Sequence, residues 1–365
     1  MREFCCGLLR VVRWIPVVFV SSVIVWASYA YLFELCFSHL YIEKNAKLRA
    51  GLYGILFVIL MLLFVASYAR TIFTPVGFPP RRFYFTREWL DEIKAARDET
   101  TIQTIINRFV HLNNIPVRNR NYDGGYRYCV KCNCVKPDRA HHCSVCGQCV
   151  LKFDHHCPWV NTCVSFNNYK FFILFLGYGF ALCVFGMATN LETVINFFDY
   201  SPQKTIASIQ LGILFLLSAV FSISLAALFF YHLYLTARNR TTFESFRSPI
   251  LENGREDKHF FNLGIRRNYR EVFGHSPLEW FLPTWTSFGD GCTYGERSQH
   301  EPCPVSWSPS SLCLLNHAHF WTGTGITFHE RSAFGERYSL LRTVDDDDEP
   351  DYESDVEVFS ATEFV

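Results

Sequence analysis

From Cys129 to Cys163 the chain reads CVKCNCVKPDRAHHCSVCGQCVLKFDHHCPWVNTC, with eight cysteines and four histidines in thirty-five residues. Thiolates and imidazoles at this density do two kinds of chemistry, metal binding and nucleophilic attack. A structural zinc site takes four N/S ligands, commonly entered through a Cys-x2-Cys knuckle that puts two thiolates on one ion. Cys129/Cys132 and Cys143/Cys146 are two such knuckles. With Cys149, Cys163 and one histidine from each of the pairs His141/His142 and His155/His156, they make eight ligands, enough for two sites. Cys134, Cys157 and the other histidine of each pair are then surplus. Of these, Cys157 is placed to react: Asp154, His155 and His156 precede it, and Pro158 and Trp159 fix the chain after it. A free thiol is only a few per cent thiolate near neutral pH, and an imidazole oriented by a third group is the usual remedy. The competing reading makes Cys157 an alternative ligand of a membrane-anchored zinc scaffold without catalysis.

What must position these residues is a membrane protein. Of 365 residues 50% are apolar and only 19% charged, which is too apolar for an ordinary soluble domain, and a formal net charge of zero argues against a nucleic-acid partner. Crossing the hydrocarbon core takes about 20 apolar residues. Charge-free windows of that length run Trp14–Phe33, Ala50–Ala69, Phe171–Leu191 and Thr205–Ala237, predicting spans at 14–36, 50–73, 169–191 and 208–237. The first is no cleavable signal peptide: it is long, lacks a small-residue cleavage site and carries Pro16, Trp26, Tyr29 and Tyr31. Four spans put both termini on one side. Arg2, Arg10 and Arg13 in segment 1–13, and Arg238 and Arg240 after the fourth span, favour the cytosol for it.

Segment 74–168 is then cytosolic, where thiols stay reduced and serve as ligands or nucleophiles. The short connections Glu34–Arg49 and Glu192–Lys204 face the other side. The span interiors carry no charged residue, which speaks against a transporter. Thr86 to Asn113 has a capping threonine, early acidic residues and apolar residues near helical spacing, predicting one or two amphipathic helices at the membrane surface. The cysteine-rich region 126–168 lacks long apolar runs, so metal must supply its folding free energy, on the order of 10 kcal/mol or more per site.

The run Cys129-x2-Cys132-x9-His142-Cys143-x2-Cys146-x2-Cys149, continued by Asp154-His155-His156-Cys157 and Cys163, resembles the cysteine-rich domain of the DHHC-type protein S-acyltransferases (palmitoyltransferases). Thr241-Thr242-Phe243-Glu244 matches that family's Thr-Thr-x-Glu element, and Asn268 to Phe273 its C-terminal Asn-aromatic motif. The likeness covers about residues 5 to 292 and is nearest to the four-span subgroup that palmitoylates proteins at post-Golgi membranes. It implies an all-α integral membrane protein: four transmembrane helices with a small cytosolic cysteine-rich domain binding two zinc ions.

The resemblance assigns Cys129, Cys132, His142 and Cys149 to one zinc, and Cys143, Cys146, His156 and Cys163 to the other. It leaves Cys134 an unliganded thiol. Cys157 becomes the nucleophile, His155 its base and Asp154 the holder of that base, with the hydroxyls of Thr242 and Thr241 supporting Asp154. Acyl-CoA, the co-substrate, meets Lys136, Arg139, Ala140, His141, His142 and Cys143, with Arg127 and Lys152 nearby. The acyl chain lies between the spans against Trp26, Ala27, Phe172, Phe175 and Leu182. Ala27 and Leu182 lack the hydroxyls that relatives can place at the closed end, so palmitoyl and somewhat longer chains are expected. Asn268 stitches the segment 238–292 to the catalytic face. The implied partners are palmitoyl-CoA and related acyl-CoA, the lipid bilayer and client proteins with cytosolic juxtamembrane cysteines; the implied setting is Golgi, plasma membrane or perinuclear and endosomal membranes. Ser276 to Phe288 is aromatic enough for the membrane interface. Segment 293–365 is rich in Ser, Pro and acidic residues, and disorder is expected there. It carries a dileucine-like pattern, Glu336 to Leu341, overlapped by Tyr338-x-x-Leu341; Cys5 and Cys6 are candidate acylation sites beside the first span.

Overall fold

The computed structural model describes residues 11–198, 206–287 and 289–295. Cys5, Cys6 and the sorting patterns around Leu340 lie outside them. In chain order the helices are α1 (Ile15–Tyr29, continued by a π-helix Ala30–Glu43), α2 (Lys47–Phe73), α3 (Arg87–Ala95), α4 (Glu99–Leu112), α5 (Tyr169–Phe198), α6 (Ile206–Ala237), α7 (Thr242–Phe246) and α8 (Ile265–Phe273). Four of them, α1 with its π-helical continuation, α2, α5 and α6, are long and apolar enough to cross a membrane. The chain is an integral membrane protein, all-helical in its spanning part.

The helices overrun the charge-free windows. A helix satisfies its backbone hydrogen bonds internally and need not stop where the hydrocarbon ends. The first therefore runs to Glu43, and the expected connection from Glu34 to Arg49 shrinks to the turn at Lys44, Asn45 and Ala46. Glu34, placed beyond the window, sits inside that helix and accepts a 2.9 Å hydrogen bond from the Tyr29 hydroxyl. Asn45 turns the chain with φ 50°. Lys44 in the turn and Arg49 after it both pair with Glu192 of α5, at 3.2 and 2.9 Å.

Helix α5 is the central span: half of its most apolar window is buried, against 17% to 22% in the other three. Its Phe172, Ile173, Phe175 and Leu176 pack with Tyr68 and Phe64 of α2 and with Leu225 and Phe229 of α6. At Gly177 a Cβ would come within 2.8 Å of the Phe229 ring, so the hydrogen side chain is what lets α6 approach.

Between α4 and α5 lie six short strands: β1 (Tyr128–Cys129), β2 (Cys134–Val135), β3 (His141–Cys143), β4 (Gln148–Val150), β5 (His155–Cys157) and β6 (Thr162–Val164), paired as three antiparallel hairpins. Their turns use residues that tolerate positive φ: Asn133, Gly147 and Asn161. The amphipathic helices pack against the hairpins. Ile106, Phe109 and Val110 of α4 are buried against Phe83, Phe85, Tyr126, Val135 and Leu151, lending the hairpins an apolar core they lack. Asp98 caps α4, accepting from Thr101 N at 2.8 Å, whereas the expected cap of α3, Thr86, makes no side-chain cap bond.

Candidate active site

The hairpins gather two Cys3His groups. Cys129, Cys132, His142 and Cys149 form one and Cys143, Cys146, His156 and Cys163 the other, each with its ligand atoms within 4.8 Å of one another. Nδ1 of His142 lies 3.5 and 3.2 Å from the sulfurs of Cys129 and Cys132. Nδ1 of His156 lies 3.7, 3.5 and 3.6 Å from those of Cys143, Cys146 and Cys163. With Zn–S near 2.3 Å and Zn–N near 2.0–2.1 Å, the edges of a tetrahedron are about 3.3–3.8 Å, so both groups fit zinc. Hairpin register explains the fit. His142 stands opposite Cys149, and His156 opposite Cys163; directly opposed residues share a face of the ladder. Strand β3 supplies His142 to one group and Cys143 to the other, so the sites are interlocked. Cys134 is fully buried opposite Cys129 and clusters with its thiol, yet is in neither four-ligand group.

Strand β5 sends its side chains two ways. Side chains alternate along a strand, so His156 turns to its metal group while His155 and Cys157 face the other way. Nδ1 of His155 is 2.6 Å from Oδ2 of Asp154. Cys157 is buried beside Val160, Phe172 and Phe175 where the cysteine-rich domain meets the spans, and the Tyr68 hydroxyl of α2 holds the Trp159 carbonyl at 2.8 Å, anchoring the turn after it. Burial works against the charge of Asp154, but its hydrogen bond with His155, the neighbouring imidazoles and the Thr242 N–H outweigh it and hold the carboxyl below its ordinary range. Burial likewise opposes charge on His155, but hydrogen bonds to Asp154 and Cys157 and their charges raise it to about 9.

The segment after α6 locks Asp154 in place. Thr241 caps α7: its hydroxyl accepts from Glu244 N at 3.1 Å, and the Glu244 carboxylate accepts from Thr241 N at 3.0 Å, a capping box. The cap aims the next N–H outward, and Thr242 N donates to Oδ1 of Asp154 at 2.8 Å. The expected support from hydroxyls is thus made by the backbone; Thr242 Oγ1 itself has no partner among the described residues. Asn268, buried in α8, donates to the Ala237 carbonyl at 2.8 Å and accepts from Leu263 N at 3.0 Å, tying this segment to the end of α6.

Among the residues expected to meet acyl-CoA, Arg139 is placed elsewhere. It is 1% exposed and grips Glu244 with two hydrogen bonds of 2.7 and 2.8 Å and Asn239 with two more. Phe261 and Tyr294 cover its guanidinium. It is a strut from β2–β3 to the capping box and cannot reach a phosphate in solvent. Ala140 is fully buried, and His142 and Cys143 are turned into the two metal groups. The His141 ring lies tilted against Phe243, 3.8 Å between centroids; burial, then the charges of Arg127, Lys136 and Arg247, push it well below its ordinary range. Lys136 is half-buried. Lys152 lines a small cavity behind Asp154 with Tyr169 and Thr241 and lies over Tyr294. Tyr294 falls beyond residue 292, where the structured segment was expected to end. Of the acyl-chain residues, Phe172 and Phe175 are beside Cys157, while Trp26, Ala27 and Leu182 pack further along the bundle with Tyr31 and Phe57.

The profile of the family described as "DHHC palmitoyltransferase" matches residues 123–249, the stretch that holds both Cys3His groups, Asp154, His155 and Cys157, and the capping box. The chain is 41% identical over 313 residues to Palmitoyltransferase ZDHHC2 of Homo sapiens, covering 84% of this chain and 83% of that one. It is 43% identical over 322 residues to human Palmitoyltransferase ZDHHC20, covering 88% and 85%. It is 42% identical over 296 residues to Palmitoyltransferase ZDHHC15 of Xenopus laevis, covering 80% and 84%. This chain belongs to the DHHC palmitoyltransferase family. The tetrapeptide in the family's name is Asp154-His155-His156-Cys157 here: its third residue turns into a Cys3His group, while His155 shares the strand face of Cys157 and is bonded to Asp154.

Two consequences of this DHHC geometry are measurable. Breaking a buried ion pair by removing one partner costs about 3–5 kcal/mol, so Arg139→Met is expected to lower thermal stability strongly, with Glu244→Gln close behind; a Tm shift below about 2 °C in both would show the strut to be idle. The Asp154–His155 pair makes stability depend on pH. His155 rises from an ordinary value near 6.5 to about 9 on folding. Its stabilisation is therefore complete below about pH 6.5 and lost as pH climbs through about 9. The Tm gap between wild type and Asp154→Asn should be wide at low pH within this range and close near its top. A gap constant across it would contradict the pairing.

One buried pair escaped the sequence reading. His232 of α6 is 3% exposed and lies beside His155, with Nδ1 at 3.1 Å from the Tyr169 hydroxyl. The signal available was an ionisable residue inside an apolar span; a reading that counted formal charges passed over it.

Proposed function

We propose that the protein is a membrane-embedded protein S-acyltransferase that carries a palmitoyl group from acyl-CoA through Cys157 to cysteines of client proteins. The observation that carries this is Cys157 on the same strand face as an Asp154-held His155, outside two complete ligand groups. A zinc scaffold has no use for such a trio. The two zinc ions would be held by the Cys3His groups and supply folding free energy to the hairpins that place β5.

The proton shared by His155 and Cys157 rests on Nε2 of His155, where Asp154 stabilises the imidazolium and leaves the sulfur free to attack. The sulfur attacks the acyl-CoA carbonyl, the bond to the CoA sulfur breaks, and the departing thiolate recovers the proton from His155. A client thiol next gives its proton to His155 and its sulfur attacks the acyl-Cys157 carbonyl; the bond to the Cys157 sulfur breaks, the acyl group passes to the client, and Cys157 returns as the thiolate beside the imidazolium. Each half exchanges one thioester for another, so no ATP is required; proximity and proton transfer are what the chain supplies. Lys136 and His141 are the residues this reading assigns to the CoA head group. Arginines at both ends of the spanning part favour a cytosolic face for both termini and for the site, and the family resemblance supports a Golgi, plasma-membrane or perinuclear or endosomal setting.

The acyl chain arrives from a bilayer, where the hydrophobic gain of about 0.8 kcal/mol per methylene is already made, so length selectivity must come from shape. Leu182→Trp is expected to shift preference toward shorter acyl-CoA, and unchanged selectivity would remove Leu182 from the lining. The test of the whole reading is incubation of purified protein with a palmitoyl-CoA analogue, scored for hydroxylamine-sensitive label. A zinc-replete wild type that takes no label would leave the scaffold reading standing.

A further inference from the structure

His232 belongs to a helix that crosses the bilayer, and no step of the acyl transfer uses it. It stands five residues before the C-terminal end of α6 and is 3% exposed; a buried ionisable side chain is expensive and persists where it has a partner. Its partner is the Tyr169 hydroxyl at the start of α5, 3.1 Å from Nδ1. Its ring lies 6.0 Å from that of His155. Phe172, one helical turn beyond Tyr169, closes the triangle with its ring 5.4 Å from His155 and 5.1 Å from His232, near-perpendicular to both.

A general base needs its ring held as well as its charge matched. Torsion about the bond that carries an imidazole is broad and soft. The bond to Asp154 fixes Nδ1, yet a ring pivoting about that bond would carry Nε2 out of line with the Cys157 sulfur. Phe172 and His232 are the rings that limit the pivot. We infer that the Tyr169–His232 pair is a positioning device for His155, in which the tyrosine hydroxyl locks the His232 ring and that ring holds the His155 imidazole facing Cys157. The lock has a direction. In the tautomer that carries its proton on Nε2, His232 leaves Nδ1 bare to accept from the phenol. Tyr169 and His232 act through His155 and touch neither acyl group nor thiol.

This rests on the reading of Cys157 as acyl carrier, and the test separates the two. Acyl loading is followed with a palmitoyl-CoA analogue on full-length wild type, Tyr169→Phe, His232→Asn, His232→Leu and the Tyr169→Phe/His232→Leu double variant, with zinc measured in each. Asparagine puts an amide oxygen near the place of Nδ1 and keeps an acceptor for Tyr169; leucine fills the space and keeps none. Tyr169→Phe and His232→Leu are expected to lose about tenfold in maximal loading rate, the worth of one hydrogen bond expressed in the transition state, with KM for acyl-CoA and zinc unchanged. His232→Asn stays within about threefold of wild type, and the double variant falls no further than the singles, as expected for groups acting as a unit. Full rate in His232→Leu, a loss that appears only in KM, or His232→Asn as slow as His232→Leu would overturn the inference, the last showing that ring shape alone matters. Should His232→Leu lose zinc, Tyr169→Phe, which deletes one oxygen, decides the matter. A wild type that takes no label sinks the Cys157 reading and this one with it; a labelled wild type beside equally labelled variants sinks this one alone.

Discussion

Cys157→Ser is expected to reduce acyl loading by about three orders of magnitude or more while leaving about two zinc ions per chain. The first half follows from nucleophilicity: His155, at about 9, is matched to a thiol, and a serine hydroxyl lies far above the range in which it can be ionised. The second half follows from geometry, because Cys157 is in neither Cys3His group and its strand is held by the pairing of His156 with Cys163 and by the Tyr68 bond to the Trp159 carbonyl. Joint measurement is what gives the experiment its force. Loss of label with full zinc assigns the thiol to the reaction. Loss of label together with zinc would mean that Cys157 is structural, and label retained on the serine variant would place the acyl carrier elsewhere.

Cys163→Ser is expected to do the reverse. It removes a ligand from the group that also takes His156, and a structural zinc site contributes on the order of 10 kcal/mol of folding free energy. Zinc should fall from about two to about one per chain. Since Cys163 stands opposite His156 on the β5–β6 hairpin, the strand that carries His155 and Cys157 is released with it. Loading should drop to the level of Cys157→Ser, and limited proteolysis should open cleavage between β4 and α5 that wild type resists. Cys134→Ala, which takes away a buried thiol outside both groups, is the control and should keep both ions. A Cys163→Ser protein with full zinc would break the assignment of that site.

Much of this was legible along the chain because the constraints involved are local. Two knuckles and six further positions within thirty-five residues announce two metal sites, since ligation demands close spacing. Four long apolar runs announce four spanning helices, since bilayer thickness demands length. Other features were out of reach for a common reason: their partners are distant in sequence. Arg139 reads as a basic residue beside a nucleophile, and only its partner 105 residues away shows it to be a buried strut. Thr242 reads as a hydroxyl donor, while the cap formed by Thr241 and Glu244 turns its N–H to Asp154, 88 residues back. The first helix passed its charge-free window because an apolar run measures hydrocarbon and not helix.

By itself, then, the sequence determined the membrane class, the ligand inventory and the presence of a thiol, an imidazole and a carboxylate within four residues. Spacing left open which histidine of each adjacent pair turns to the metal, and the family resemblance supplied that choice without a cause. The tertiary structure supplies the cause. In a strand neighbouring side chains must point to opposite faces, so once His156 is drawn toward Cys163 across the hairpin, His155 is delivered to Asp154 and to the face of Cys157.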